Sequence, residues 1–197
     1  MAKVIGLTGS FGTGKTFAAL LFKRLGAKVI DADKVAHDLI AKGTPAHKRI
    51  MKTFGNDILD RRGNIDRSKL AGIVFAEKGK LKKLNSIVHP GVIKFIKDRI
   101  VHSRKNDVIV IDAPLLVEAG LAGIVDKLVV VAASKENQVK RCRKKFKMSK
   151  GDVLKRIVNQ MPLNKKKAVA DFVIDNDGTR SETGRQVRKV WEEIVWK

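Results

Sequence analysis

The stretch "GLTGSFGTGKT", residues 6–16, constrains this chain more than any other, because Gly9, Gly14, Lys15 and Thr16 satisfy the spacing G-x-x-x-x-G-K-S/T. Such a loop works only between a strand and a helix. Its glycines let backbone N–H groups converge on an anion, and the helix N-terminus adds partial positive charge. Lys15 then reaches the β- and γ-phosphates, and Thr16 offers a hydroxyl to Mg²⁺. The flanks meet the requirement. "KVIGLT" (3–8) reads as a strand, and "TFAALLFKRLG" spaces Phe17, Leu20, Leu21, Phe22 and Leu25 along one helix face, with Gly26 where a C-cap falls. The expected ligand is a nucleoside triphosphate with Mg²⁺, cradled by Phe11, Gly12, Thr13, Gly14, Lys15 and Thr16.

Four further runs rich in β-branched residues read as strands: "KVID" (28–31), "DVIVIDA" (107–113), "KLVVVAA" (127–133) and "DFVID" (171–175). Apolar runs of this kind suit strands buried on both faces, so the expected class is α/β, a five-stranded parallel sheet covered by helices. Val187, Val190, Trp191, Ile194 and Val195 mark one face of a terminal helix. Residues 39–103 interrupt the alternation with little strand signal and read as a helical insertion, leaving 1–38 and 104–197 as the nucleotide-binding core. Residues 138–167 are helical too, broken at "SKG" and "MPLN".

The charge is large and uneven. Forty-two Lys and Arg against 20 Asp and Glu leave +22, a field that attracts polyanions. Residues 138–167 hold 12 basic residues and 1 acidic, a net +11 and half the total. The single cysteine, Cys142, excludes an internal disulfide; its setting, "KRCRKK", either lowers the thiol pKa or leaves a bystander on a basic helix. No apolar run approaches the roughly 20 residues of a membrane-spanning helix, and "MAKVIGLTG" lacks the shape of a signal peptide, so a cytoplasmic location is expected.

Acids stand at the ends of two of the strands. "VIDADKVAH" puts Asp31 and Asp33 at the carboxyl edge of the sheet, where open α/β sheets bind ligands, and strand alternation would set both on one side. Either could take a proton from an attacking hydroxyl, hold Mg²⁺, or cap the helix that follows. Asp112, at the end of "VIVIDAPLLVEAG", has the setting of a carboxylate that holds Mg²⁺ through water, with Pro114 turning the chain next.

These residues together resemble a known family. "GLTGSFGTGKT", "VIDADKVAH", "IVHP", "DAPLLVE", Gln138 with Arg141, Arg156 with Gln160, and "ADFVIDNDG" occur in the order seen in dephospho-CoA kinases, across nearly the whole chain. The resemblance implies transfer of the ATP γ-phosphate to the ribose 3′-hydroxyl of dephospho-CoA. It implies Asp33 as base, with Lys15 and Arg141 acting on the moving phosphoryl group and Thr16 and Asp112 on the metal. It also implies Asn176 and Gly178 against the adenine, Arg67, His89, Pro90 and Leu116 around the acceptor, the insertion as CoA-binding domain and 138–167 as a lid. His89 could equally be a half-buried residue setting up Pro90 at a helix start.

Two departures stand out. Ser10 and Phe11 occupy loop positions where the family more often has glycine and Ile or Val, and Lys145 stands where a second arginine is common. Lysine lacks arginine's planar fork, so a bidentate contact is not available there. Two rival functions remain open at this stage. One is a basic ATPase acting with nucleic acid, which the charge favours and the 5% aromatic content disfavours. The other is a kinase of free nucleotides.

Overall fold

The structure, a computed structural model, describes residues 2–195. In chain order these form β1 (Lys3–Gly9), α1 (Lys15–Arg24), β2 (Lys28–Asp31), α2 (Ala32–Leu39), α3 (Pro45–Phe54), α4 (Arg67–Ala76), α5 (Lys78–Val101), β3 (Val108–Asp112), β4 (Lys127–Ala132), α6 (Lys135–Phe146), α7 (Lys150–Val158), α8 (Leu163–Ala168), β5 (Phe172–Asp175) and α9 (Arg180–Val195). The chain divides into two compact units, Met1–Asp31 with Ile100–Lys197 and Ala32–Arg99.

The first unit is an α/β layer structure. Its five strands pair in the order β2-β3-β1-β4-β5, every pairing parallel, as the buried apolar runs predicted. Strand ends fall within a residue of the sequence reading. One face packs Ile5, Leu7, Val108, Val110, Val129, Val131 and Ile174 against Ala18, Ala19 and Phe22 of α1 and Val187, Val190 and Ile194 of α9. Gly26 ends α1 as expected. Its φ is +109°, and the N–H groups of Gly26 and Ala27 bond the carbonyls of Lys23 and Phe22, a Schellman closure that a side chain would strain. On the other face a Cβ at Gly6 would meet Leu116 Cδ1 at 2.9 Å, so glycine makes room for that buried leucine.

The second unit is helical around its own apolar cluster of Ile50, Ile58, Leu70, Val74 and Ile87. Thr44 caps α3 by accepting the His47 N–H, and Asp66 caps α4 by accepting those of Ser68 and Lys69. Between them, Asp60 accepts N–H groups of Arg62 and Asn64 and shapes the turn joining Leu59 to Ile65, which pair as an isolated bridge. The reading of Pro90 as a helix start is corrected here, because Pro90 lies inside α5. A proline there removes one N–H from the ladder and crowds the carbonyl of Ser86 one turn back, yet α5 runs through it from Lys78 to Val101. Among the described residues no helix is long and apolar enough to cross a membrane.

Candidate active site

The phosphate loop joins β1 to α1 with its glycines placed by necessity. Gly12 and Gly14 sit at φ +83° and +89°, in the left-handed region. A Cβ on Gly12 would lie 2.7 Å from Cys142 Sγ and 2.8 Å from the Gln138 carbonyl; one on Gly14 would strike the Asn176 amide. Thus α6 and the end of β5 press directly on the loop. Lys15 opens α1 and forms an ion pair with Asp112, which ends β3. Thr16 follows in the first turn, exposed.

Arg141 and Asn176 converge on one loop atom. Asn176 donates its amide to the Thr13 carbonyl at 2.7 Å, and Arg141 Nη1 donates to the same oxygen at 3.3 Å. The Arg141 Nη2 donates to the Asn176 carbonyl at 2.5 Å, while Thr183 on α9 donates its hydroxyl to Asn176 Oδ1 at 2.7 Å. Thr13 and Asn176 are buried, so this network fixes the amide of a residue that would otherwise bury unpaired polar atoms. Gly178 lies apart from it: a Cβ there would strike the Glu182 carboxylate, which bonds Thr179 N in a capping box that starts α9.

The acids separate by environment. Burial pushes the Asp112 carboxyl above the ordinary range; the Lys15 charge opposes the shift and Asp31, its register neighbour at the end of β2, adds to it. The expectation that alternation sets Asp31 and Asp33 on one side is corrected. β2 stops at Asp31, and Asp33 lies exposed in the first turn of α2, where the helix dipole favours a negative charge. Within the second unit Arg67 is exposed at the start of α4. His89 on α5 is half-buried, with burial pushing its pKa down, and Pro90 is exposed. In the first unit, Leu116 is fully buried against Gly6.

The sequence reading counted the lysines of the basic segment 138–167 only as charge and singled out none of them as buried. Lys166, one of three consecutive lysines, is fully buried: its Nζ donates to the Pro114 carbonyl at 2.5 Å and pairs with Glu118 at 2.9 Å. Glu118 also accepts the Met161 N–H, and Thr8 donates its hydroxyl to Pro114 O. The "PLLVE" turn is therefore pinned from α8 and β1. Nothing in "NKKK" distinguishes the buried lysine from its neighbours. For Cys142 the bystander alternative holds, since the thiol is buried and burial pushes its pKa up, against the pull of Arg156 and Lys145.

Comparison with known proteins agrees with this geometry. The family model described as "Dephospho-CoA kinase" matches residues 3–182. The dephospho-CoA kinase of Aquifex aeolicus is 45% identical over 193 residues, covering 98% of both chains. Among solved structures, a Thermus thermophilus protein superposes with a TM-score of 0.85 at 29% identity, over 98% of each chain. The dephospho-CoA kinase from Campylobacter jejuni superposes at 0.72 and 28% identity, over 100% of this chain and 98% of that one. Neither the nucleic-acid ATPase nor the free-nucleotide kinase is favoured by these matches. A loop built for a nucleoside triphosphate, set on a five-stranded parallel sheet and matched from β1 into α9, makes this chain a member of the dephospho-CoA kinase family.

Proposed function

We propose that this chain transfers the γ-phosphoryl group of ATP to the ribose 3′-hydroxyl of dephospho-CoA, giving CoA and ADP, and that it does so in the cytoplasm. The observation that carries the reading is the phosphate loop itself, with Gly12 and Gly14 in left-handed conformation and Lys15 drawn to Asp112, in a chain of this family. Phosphoryl transfer asks little covalent chemistry of a protein, so positioning and charge stabilisation do the catalysis.

The roles then divide by chemistry. Backbone N–H groups from Phe11 to Thr16 cradle the phosphates, and Lys15 moves from Asp112 to the β- and γ-phosphates. Arg141 already lies beside the loop through Thr13 and supplies a planar cation to charge developing on the transferred group. Asn176 and Gly178 flank the adenine. Asp33 accepts the proton of the 3′-hydroxyl, and Arg67, His89 and Pro90 receive the acceptor. Leu116, buried against Gly6, belongs to the same acceptor set in this reading. The Thr16 hydroxyl and the Asp112 carboxylate are oxygen donors of the kind Mg²⁺ takes, and they would hold it in this reading. Bound there, Mg²⁺ would neutralise charge on the phosphates during transfer.

Lys135, Lys140, Arg143, Lys147 and Lys150 line an open groove on α6 and the start of α7, and this surface supports weak polyanion binding without sequence preference. The deciding experiment incubates the protein with Mg-ATP and, separately, dephospho-CoA, AMP, CMP or short RNA, and identifies the phosphorylated product. Phosphorylation of dephospho-CoA alone is expected; a labelled nucleotide, or ATP hydrolysis stimulated by RNA, would overturn the reading.

A further inference from the structure

Two of the positions that depart from the family pattern, Phe11 and Lys145, meet in one contact chain. The ring of Phe11 stacks on that of Phe146, with centroids 5.7 Å apart and planes 21° from parallel. The Arg156 guanidinium lies 5.2 Å from the Phe11 centroid, and Lys145 Nζ lies 5.1 Å from that of Phe146. Four residues beyond Arg156, the Gln160 side chain accepts the Phe11 N–H at 2.8 Å and the Ser10 hydroxyl at 3.2 Å. The loop is thus tied to α6 through Phe146, to α7 through Arg156, and to the segment after α7 through Gln160. Core packing does not account for Phe146, which stays 50% exposed on a helix of mostly charged residues. A half-exposed aromatic at the end of a basic helix earns its place through the ring contacts it makes.

We infer that Phe146 is a positioning residue for ATP: by stacking on Phe11 it docks the α6–α7 segment on the phosphate loop before nucleotide arrives and holds the Phe11 ring as the platform for Arg156. A ring in place of the usual small aliphatic side chain gives both Arg156 and Phe146 a face to rest on. The substitution of lysine for arginine at 145 is compatible with it, because an ammonium needs no fork to sit over a ring. The inference rests on the reading of residues 9–16 as an ATP loop.

If docking precedes binding, removing the stack lowers the docked fraction, and apparent ATP affinity falls by that fraction while the chemistry at saturation persists. An aromatic pair together with a cation–π contact sets the scale, so F146A should raise the Kd and KM for ATP by roughly 3- to 10-fold. Its kcat should stay within about 2-fold, the pattern of lost binding without lost transition-state contact. The KM for dephospho-CoA should not move. F146Y, which keeps the ring, should match the parent protein, whereas F146L, which keeps apolar bulk without the ring, should follow F146A.

Calorimetric ATP binding, steady-state kinetics and melting temperature on the same preparations decide it. An unchanged ATP Kd in F146A overturns the proposal, including the case where only the melting temperature falls. F146L equal to F146Y also overturns it, since bulk alone would then suffice. ATP binding is read independently of the acceptor, so failure of the parent protein to phosphorylate dephospho-CoA would strike the functional reading and leave this inference to the calorimetry.

Discussion

The side chains assigned to the phosphate loop and those assigned to the acceptor in the helical unit Ala32–Arg99 differ in burial. At the loop they hold one another: the Thr13 carbonyl receives both Asn176 and Arg141, Asp112 meets Lys15, and Gln160 takes the Phe11 N–H. In the helical unit Asp33 and Arg67 sit exposed in the first turns of α2 and α4, over a cluster built from other residues. The difference is that between a preorganised electrostatic site and a surface that presents side chains to a ligand. Substitutions at the loop should therefore cost stability and rate together, and those on the helical unit should cost rate alone.

Asp33→Asn gives the largest effect and the sharpest form of that contrast. Transfer to dephospho-CoA should fall by roughly 100- to 10,000-fold, the usual contribution of a positioned general base. ATP binding should stay at the parent value and the melting temperature should move little, because Asp33 is exposed and asparagine keeps its size and shape. A loose transition state would draw the loss toward the lower figure. Magnesium titration separates the roles, since a metal ligand recovers activity at high Mg²⁺ and a base does not. Near-normal turnover would move the role to Asp31 or Asp112.

Arg141→Ala should follow with kcat lowered by about 100- to 1,000-fold, the scale for losing one preorganised donor to developing charge. ATP affinity should weaken less than kcat. Here the melting temperature should fall as well, because the guanidinium bridges the carbonyls of Thr13 and Asn176. A raised KM with intact kcat would confine Arg141 to ground-state binding. Gly12→Ala is smaller in rate and clearer in structure. The left-handed φ costs about 1–2 kcal/mol for a residue with a Cβ, and the backbone carbonyl of Gln138 cannot retreat as a flexible side chain would. We expect about 2–3 kcal/mol of destabilisation by chemical denaturation, in the range of an overpacked core, with weaker ATP binding. A neutral outcome would mean that α6 does not bear on the loop in solution.

Much of this contrast was legible in the sequence, on one side more than the other. The loop spacing and the five buried β-branched runs each obey a local rule, so the sheet could be read nearly residue by residue. Asp33 shows where local rules stop: strand alternation was carried past Asp31, but Ala32 already begins α2. Lys166 and Cys142 show a second limit. Charge counts treat every lysine alike, yet Lys166 is buried by partners 48 and 52 residues away, and the basic neighbours of Cys142 lose to burial. Phe11 and Lys145 could each be read as a departure; that they belong to one chain of contacts through Phe146 is information only the fold contains.

The smallest effect concerns pH, and it tests the loop side from within. Asp60, Asp107, Asp171, Asp177 and Glu182 all have lowered pKa values, led in each case by a hydrogen bond: from Asn64, Lys28, Leu128, Asn137 and Thr179 respectively. Each adds stability that is present above the ordinary carboxylate pKa and is lost as pH falls through the lowered value. Asp112 runs the other way, because burial raises its pKa above 3.8. Between 3.8 and the raised value the folded state keeps a proton that the unfolded chain has released, so raising the pH through that window removes stability. One proton limits the slope to about 1.4 kcal/mol per pH unit. Asp112→Asn has no proton to lose. The melting temperature of the parent protein minus that of the variant should therefore decline as pH rises through the window. Mg-ATP should reverse the sign of that decline, since a carboxylate engaged with a metal or its water shell is favoured in its ionised form. A difference that declines equally with and without Mg-ATP would remove Asp112 from the metal and leave it as the resting partner of Lys15.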